Sequence, residues 1–313
     1  MSDFDIREEW LASVKPSVFA KAQASLAPVS IFLGGQPGAG KTKAQTAVLA
    51  RYAEENTTQI IGDDLRAFHP NYEWLIRNDP LRMPDVTAPA SGQWIAMCIQ
   101  WAIENSVSTL VEGTWRNTAM VIEEADKARK AGRRTHAVVV AVPPLLSQAG
   151  LLERFYFDRL EGRTARWTPP QAHEIAVEAL EQTVATICVS DSPFERFTVM
   201  NRDGDYLYDE TPSEDGASVF RGAFHRTLTD TEKTQLALKL PLLEEGVERF
   251  TPGDLEVKAL MDGIRTAVSD VDQRAVYNTK ADIQQAIRKR TQERRSDTGT
   301  EKNLDRDSPG LSR

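Results

Sequence analysis

A glycine-rich stretch, "GGQPGAGKT" at residues 34–42, constrains the fold of this chain more than any other feature. It contains a complete phosphate-binding loop motif, in which a glycine and four further residues precede Gly-Lys-Thr. The hydrophobic run "VSIFLG" enters the motif, and the helical pattern "KTKAQTAVLARYAEE" leaves it. The glycines allow backbone N–H groups to converge on phosphate oxygens, and the helix N-terminus adds a favourable dipole. The stretch therefore predicts a nucleotide site between a strand and a helix.

The motif also predicts individual roles. Lys41 is expected to reach the β- and γ-phosphates of ATP, and the Thr42 hydroxyl is expected to bind Mg²⁺. The residues predicted to bind ATP are Gly35, Gln36, Pro37, Gly38, Ala39, Gly40, Lys41 and Thr42.

The remaining sequence predicts an α/β fold. Between residues 29 and 210, apolar runs typical of strands alternate with helical patterns, which is typical of a parallel sheet flanked by helices. The run "AVVVAV" is apolar at every position, as expected for a strand that is covered on both faces. Helical patterns follow a polar, acidic stretch near residue 211, and apolar residues become rare from about Thr291. We predict an N-terminal helix at 1–28, an α/β domain at 29–210, a linker at 211–225, a helical extension at 226–290 and a disordered tail at 291–313.

Composition narrows the function classes. The formal net charge of −8 and a pI near 5.2 argue against bulk binding to nucleic acid or to an anionic membrane. The N-terminus "MSDFDIREEW" is acidic and lacks the apolar region of a secretory signal, and no apolar run is long enough for a membrane span. The two cysteines, Cys98 and Cys188, lack zinc or redox spacing. We therefore predict a cytoplasmic protein with neither nucleic acid nor membrane as a partner.

Acidic residues follow two of the predicted strands. Asp63 and Asp64 follow "TQIIG", and Glu112 ends "STLVEG". Carboxyl ends of parallel strands face the ligand crevice, so Asp63 could accept the proton of an acceptor hydroxyl. The alternative for Asp63 is an Asx-turn or a helix N-cap, and for Glu112 a buried carboxylate bonded to backbone. Asp64 is predicted to be structural.

The segment "LLERFYFDRLEGRTARWTPPQAHEI" at residues 151–175 has the pattern of a lid. Thr168 is predicted to cap the following helix, which leaves the arginines before it without a structural explanation. Arg154 and Arg166 could close over the phosphates and stabilise transition-state charge. The alternative is a set of exposed helix cations paired with neighbouring glutamates.

Taken together, these motifs resemble those of the zeta toxin family, the kinase half of bacterial zeta-type toxin–antitoxin pairs. The resemblance covers about residues 29–210. It is carried by "GGQPGAGKT", "GDDLRAFHPNY", "VEGTWR", "AVP", "ERFY", "TARWTPPQAHE" and "NRDGDYLY", in the family's order. The family's fold is similar to that of small P-loop kinases. The resemblance implies transfer of the ATP γ-phosphate to the amino-sugar 3′-hydroxyl of UDP-N-acetylglucosamine, which blocks an early step of peptidoglycan synthesis, and it implies an antitoxin partner.

The resemblance also implies site residues. Lys41 and Thr42 match the nucleotide and Mg²⁺ residues, and Asp63 matches the general base. The acceptor-sugar site is matched by Glu112, Thr114 and Arg116, and the lid arginines by Arg154 and Arg166. Trp115 and Trp167 are bulkier than the family pattern, and we expect them beside the acceptor pocket or the lid.

Two other functions remain open at this point. One is a P-loop kinase of another hydroxyl acceptor, such as a nucleotide, a dinucleotide or an antibiotic. The other is a nucleotide-dependent module whose C-terminal helices recruit a partner. For those helices, oligomerisation, partner binding and support of the lid are equally open.

Overall fold

The chain forms one six-stranded sheet flanked by helices in the computed structural model, which describes residues 4–271. The strands are β1 (Val29–Gly34), β2 (Thr58–Ile61), β3 (Thr109–Glu112), β4 (Arg134–Val140), β5 (Arg196–Met200) and β6 (Tyr206–Glu210). Their order is β2-β3-β1-β4-β5-β6, and only the β5–β6 pair is antiparallel. The predicted P-loop kinase-like α/β fold is confirmed.

The helices account for most of the remaining described residues. They are α1 (Ile6–Glu9), α2 (Lys15–Val18), α3 (Lys41–Arg51), α4 (Gly62–Leu65), α5 (Tyr72–Asn78), α6 (Met83–Glu104), α7 (Thr118–Lys130), α8 (Pro144–Leu160), α9 (Pro170–Ile187), α10 (Glu214–Phe224), α11 (Asp230–Phe250) and α12 (Leu255–Ala267). A π-helical turn, Trp10–Val14, joins α1 to α2, and the segment buries Trp10 and Val14. Within residues 4–271, no helix combines the length and the apolar content needed to cross a bilayer.

The central strands explain why the sheet is parallel and buried. Every residue of β1 is buried, and so are all residues of β4 after Arg134. One apolar cluster covers each face of these strands, with Ile31 and Leu33 on one side and Phe32 on the other. Strands buried on both faces need crossover helices, and parallel strands with crossover helices bring their carboxyl ends to one edge.

The segment predicted as a linker at 211–225 is instead largely helical. Ser213 accepts a hydrogen bond from the Gly216 N–H at 3.4 Å and so caps α10, whose acidic first turn suits the helix N-terminus. Phe220 and Phe224 are fully buried and stack with ring centroids 5.0 Å apart. The polar stretch therefore marks a helix start, and its apolar face completes the core beside β5.

Two helices follow α10 and pack against α8. Both α11 and α12 contribute buried side chains, including Leu243 and Met261, to the larger of the clusters that cover the sheet. The predicted extension continues to residue 290, and the predicted disordered tail follows it. Both of those parts, from residue 272 onward, lie outside the described residues.

Candidate active site

The phosphate-binding loop joins β1 to α3 at the carboxyl edge of the sheet. Gly38 and Gly40 have φ values of +80° and +83°, which side chains disfavour. A Cβ at Gly38 would also lie 2.1 Å from the Ser147 carbonyl oxygen on α8. The loop glycines are thus required by backbone conformation and by the close approach of α8, and α3 begins at Lys41 with its N–H groups facing the loop.

Lys41 lies folded across this loop. Its Nζ donates to the Gly35 carbonyl at 3.1 Å and lies 3.6 Å from Glu112 Oε1. Glu112 reaches this position because β3 pairs directly with β1, with Glu112 opposite Leu33. The structure therefore brings together the predicted phosphate-binding lysine and one of the two predicted strand-end acids.

The Gln36 side chain is directed into the protein and away from the loop's concave face. It is fully buried and donates from Nε2 to the Val142 carbonyl at 2.7 Å and to Ser147 Oγ at 3.2 Å. Ser147 Oγ is in turn 2.8 Å from His173 Nε2 on α9. Gln36 therefore ties the loop to α8 and α9, and only its backbone is positioned to face a phosphate.

Asp63 lies in the first turn of α4, two residues beyond the end of β2. Its side chain makes no capping hydrogen bond, which removes the alternative that it is an N-cap. Asp63 Oδ1 accepts from Arg66 Nε at 3.2 Å, and Oδ2 lies 3.7 Å from Arg166 Nη1. Arg66 is itself held by the Pro84 carbonyl at 2.9 Å and by Thr87 Oγ1 at 2.8 Å. The carboxylate is therefore oriented by two cations and remains 48% exposed.

The two neighbouring aspartates differ in their pKa. Close packing around Asp63 raises its pKa, but Arg166, Arg66, Arg154 and Lys41 together lower it more, so the net pKa is below the ordinary value. For Asp64, packing and the Asp63 charge outweigh Arg166, which lies 3.8 Å away, and the pKa is raised. Environments that separate the pKa values of two adjacent carboxyls give them different chemical roles. The neighbouring cations therefore favour the ionised form of Asp63, which is the form a proton acceptor requires, whereas packing and the Asp63 charge disfavour the ionised form of Asp64.

The two arginines predicted to belong to a lid, Arg154 and Arg166, lie on α8 and on the loop after it. Arg166 contacts both aspartates, and Arg154 Nη2 donates to Thr168 Oγ1 at 3.0 Å. The prediction that Thr168 caps α9 was wrong, because Pro169 occupies the cap position and the helix begins at Pro170. Thr168 instead fixes the guanidinium of Arg154.

The predicted acceptor-site residues lie at the end of β3 and directly after it. Glu112 and Thr114 are partly exposed and Arg116 is exposed, so all three are accessible to a ligand. Trp115 between them is only 4% exposed, has a φ of +53° and packs so closely on Gly34 that a Cβ there would lie 2.1 Å from its ring.

The two tryptophan rings pack into apolar clusters. Trp115 belongs to the cluster around Phe32, and Trp167 packs edge-on to Phe155 with ring centroids 4.8 Å apart. Trp115 also lies against Gly34 at the start of the phosphate loop, and Phe155 belongs to the segment predicted as a lid. Their place beside the acceptor pocket or the lid stays a prediction.

Two residues of this edge were missed by the sequence analysis. Arg66 orients Asp63, and its spacing of three residues on a helical turn was the available signal. Arg202 lies beside the phosphate loop, where it donates from Nη1 to the Leu146 carbonyl at 3.1 Å and approaches Gly40 and Gly150. Arg202 belongs to the motif "NRDGDYLY", but its contacts with the loop depend on tertiary packing that the motif alone does not specify.

The side chains at this edge suit Mg²⁺ better than a softer metal. Within residues 4–271 no group of three or more His, Cys, Asp and Glu side chains is arranged to hold a metal ion. Thr42 is exposed in the first turn of α3, and the nearest carboxylate to the loop lysine is Glu112. A site with few protein oxygens beside a phosphate loop is compatible with Mg²⁺, because this ion keeps several waters and takes other ligands from substrate phosphates.

Comparison with known proteins identifies the family. A family model described as Zeta toxin matches residues 17–213. Toxin zeta of Enterococcus hirae is 31% identical over 210 residues, which cover 66% of this chain and 72% of that toxin. The chain belongs to the zeta toxin family. Toxin PezT of Streptococcus pneumoniae is 26% identical over 231 residues, covering 72% of this chain and 90% of that toxin.

The fold of this chain is shared with a solved structure from work on the PezAT chromosomal toxin–antitoxin system of Streptococcus pneumoniae. The two align with a TM-score of 0.64 at 22% identity, over 80% of this chain and 100% of that one. Membership in the zeta toxin family implies a phosphotransferase that binds a nucleotide.

Proposed function

We propose that this zeta toxin transfers the γ-phosphate of ATP to the amino-sugar 3′-hydroxyl of UDP-N-acetylglucosamine. The observation that carries the proposal is the convergence of Asp63, Arg166, Lys41 and Glu112 at one edge of the sheet. A phosphoryl transferase requires an activated acceptor and neutralised phosphoryl oxygens, and these side chains can supply both. The acceptor itself rests on the family resemblance of the motifs that carry Glu112, Thr114 and Arg116.

The residues divide the reaction between them. Asp63 accepts the proton of the acceptor hydroxyl while the hydroxyl oxygen forms a bond to the γ-phosphorus. The bond between the γ-phosphorus and the β–γ bridging oxygen breaks, and ADP is released. Lys41, Arg154 and Arg166 stabilise negative charge on the transferring group. Glu112, Thr114 and Arg116 hold the amino sugar. Thr42 would hold Mg²⁺ through its hydroxyl, and the ion would supply positive charge to neutralise the phosphates.

The proposal extends to the cell. Phosphorylated UDP-N-acetylglucosamine would no longer serve peptidoglycan synthesis, so the cytoplasmic protein would arrest growth unless an antitoxin covers the site. We expect induction of the wild type to stop bacterial growth and to accumulate the phosphorylated sugar nucleotide, whereas Lys41→Ala does neither. Lys43→Ala is the matched control, since Lys43 is exposed and pairs with Asp203 at 2.6 Å. Arrest by Lys41→Ala at an equal protein level would refute a kinase-based toxin.

An acceptor panel separates this proposal from a kinase of another hydroxyl. Purified protein with ATP and Mg²⁺ is offered UDP-N-acetylglucosamine, free nucleotides, dinucleotides and hydroxylated antibiotics. We expect transfer to the sugar nucleotide; transfer confined to any other acceptor would replace the proposed substrate.

The pH profile tests the role of Arg166. Packing raises the pKa of Asp63 and Arg166 is the strongest of the cations that lower it, so removing this charge must raise the pKa. A base with a higher pKa is protonated at a higher pH, so the acid limb of kcat/KM against pH should move upward in Arg166→Gln. Arg163→Gln is the control, because Arg163 pairs with Asp158 and Glu161 instead. An acid limb that stays in place in Arg166→Gln would argue against Asp63 as the titrating base.

A further inference from the structure

Helix α11 packs closely against α8, and a buried polar contact lies at its C-terminal end. Tyr156 of α8 and Thr251, which follows α11, are both buried, and their hydroxyl oxygens lie 2.5 Å apart. Gly246 of α11 lies directly against Tyr156, and a Cβ at this glycine would be 2.4 Å from the tyrosine Cβ. Two helices that approach this closely hold one rotational position of α8 relative to the rest of the protein.

The contacts with α11 include the two residues that flank Arg154. On one side, Lys239 of α11 donates to Glu153 at 2.7 Å, and both side chains are mostly buried. On the other side, the Phe155 ring lies edge-on to Phe250 at 6.5 Å between centroids. A rotation of α8 that displaced Arg154 would therefore disturb contacts on both sides.

The same packing extends to the second lid arginine. Arg166 immediately precedes Trp167, whose ring packs against Phe155 and Tyr156 at centroid distances of 4.8 and 6.4 Å. Phe250 stacks on Tyr156 with an interplanar angle of 12°. The loop that carries Arg166 is thus anchored to the aromatic group that α11 holds in place.

We propose that α11 is a positioning element of the kinase, which sets the two lid arginines through Lys239 and Thr251. The inference rests on the proposed function, because it takes Arg154 and Arg166 to act on the transferring phosphoryl group. It assigns a role to a helix that lies beyond residue 213, where the match to the family ends. Of the three roles left open for the C-terminal helices, these contacts favour support of the lid.

Charge and hydroxyl variants test the inference by kinetics. We expect Lys239→Ala to lower kcat by about 10- to 100-fold with unchanged ATP affinity, since a misplacement of ~1 Å can cost about 10² in rate. Lys233→Ala removes a similar ion pair of α11, at 2.6 Å from Asp270 and away from α8, and should leave kcat unchanged. Thr251→Val should lower kcat, and Thr251→Ser, which keeps the hydroxyl, should restore it. Equal losses in Lys233→Ala and Lys239→Ala would overturn the inference.

A cycle with Arg154 separates positioning from stability. If Lys239 positions Arg154, then Lys239→Ala should cause a smaller loss of kcat in an Arg154→Ala background than in the wild type. Losses that simply multiply would show that the two residues act independently and would overturn the inference.

A readout without turnover keeps the inference separate from the proposed function. The Nε–Hε NMR signal of Arg154, assigned by its absence in Arg154→Lys, should shift in Lys239→Ala and stay in place in Lys233→Ala. If the wild type transfers no phosphate to UDP-N-acetylglucosamine, the proposed function fails. The chemical shift of this signal still reports whether Lys239 positions Arg154. An Arg154 signal that is unchanged in Lys239→Ala would overturn the positioning role whatever the acceptor is.

Discussion

Asp63→Asn is expected to lower kcat by about 10² to 10⁴, the usual contribution of a general base. Asparagine keeps the shape of the side chain and can still contact Arg66 and Arg166, but it cannot take the proton of the acceptor hydroxyl. ATP affinity should be retained, because the phosphate loop and Lys41 lie between β1 and α3, whereas Asp63 lies in α4 after β2. The measurement is kcat for phosphoryl transfer together with the Kd for ATP.

Asp64→Asn is the matched control for this substitution. Asp64 is next in sequence and has a raised pKa. It lies 3.8 Å from Arg166, whereas Asp63 also accepts a hydrogen bond from Arg66. It should retain kcat within a few-fold of the wild type. A loss in Asp64→Asn as large as that in Asp63→Asn would mean that the pair acts as a charged unit, and Asp63 would lose its separate role.

Lys41→Ala is expected to lower kcat/KM by about 10² to 10³, the typical loss when one preorganised group that stabilises transition-state charge is removed. The reason is local: Lys41 Nζ lies 3.1 Å from the Gly35 carbonyl, so the ammonium is already held above the loop that would receive the phosphates. The rate of phosphoryl transfer at saturating and limiting ATP separates its effects on binding and chemistry. Lys43 lies two residues further along α3 and pairs with Asp203, so Lys43→Ala should keep near wild-type kinetics. A wild-type kcat/KM in Lys41→Ala would remove the loop from the reaction.

Much of the site could be predicted because a parallel sheet gathers its strand ends. The phosphate loop fixed one strand–helix connection, and acids after two further apolar runs could be placed at the same edge. Asp63 and Glu112 do lie at that edge, on strand ends that pair through Ile61 and Glu112. Their chemical roles stay predictions, since position alone does not show proton transfer.

The failures came from features that depend on tertiary contacts. Strand β6 has no clear signal in the sequence, because its residues are mostly exposed and lack the apolar alternation of a half-buried strand. The acidic start of α10 looked like a linker because polar capping residues and turn residues are the same residue types. Trp115 and Trp167 neighbour site residues in sequence, but their rings pack into apolar clusters whose members are brought together only by tertiary contacts.

The C-terminal helices show a different limit. Their periodicity predicted helices, but no pattern in α11 indicated that Lys239 would meet Glu153 or that Gly246 would meet Tyr156. Such pairings depend on how the helices pack against each other. No local motif in a single sequence indicates that packing.

The most direct test of the account is transfer from ATP and Mg²⁺ to UDP-N-acetylglucosamine by the purified wild type, with the position of the new phosphate determined by NMR. The account predicts a single product phosphorylated at the 3′-hydroxyl of the amino sugar, formed by the wild type and lost in both Lys41→Ala and Asp63→Asn. No such product from a wild type that binds ATP, or equal product from the two variants, would contradict it.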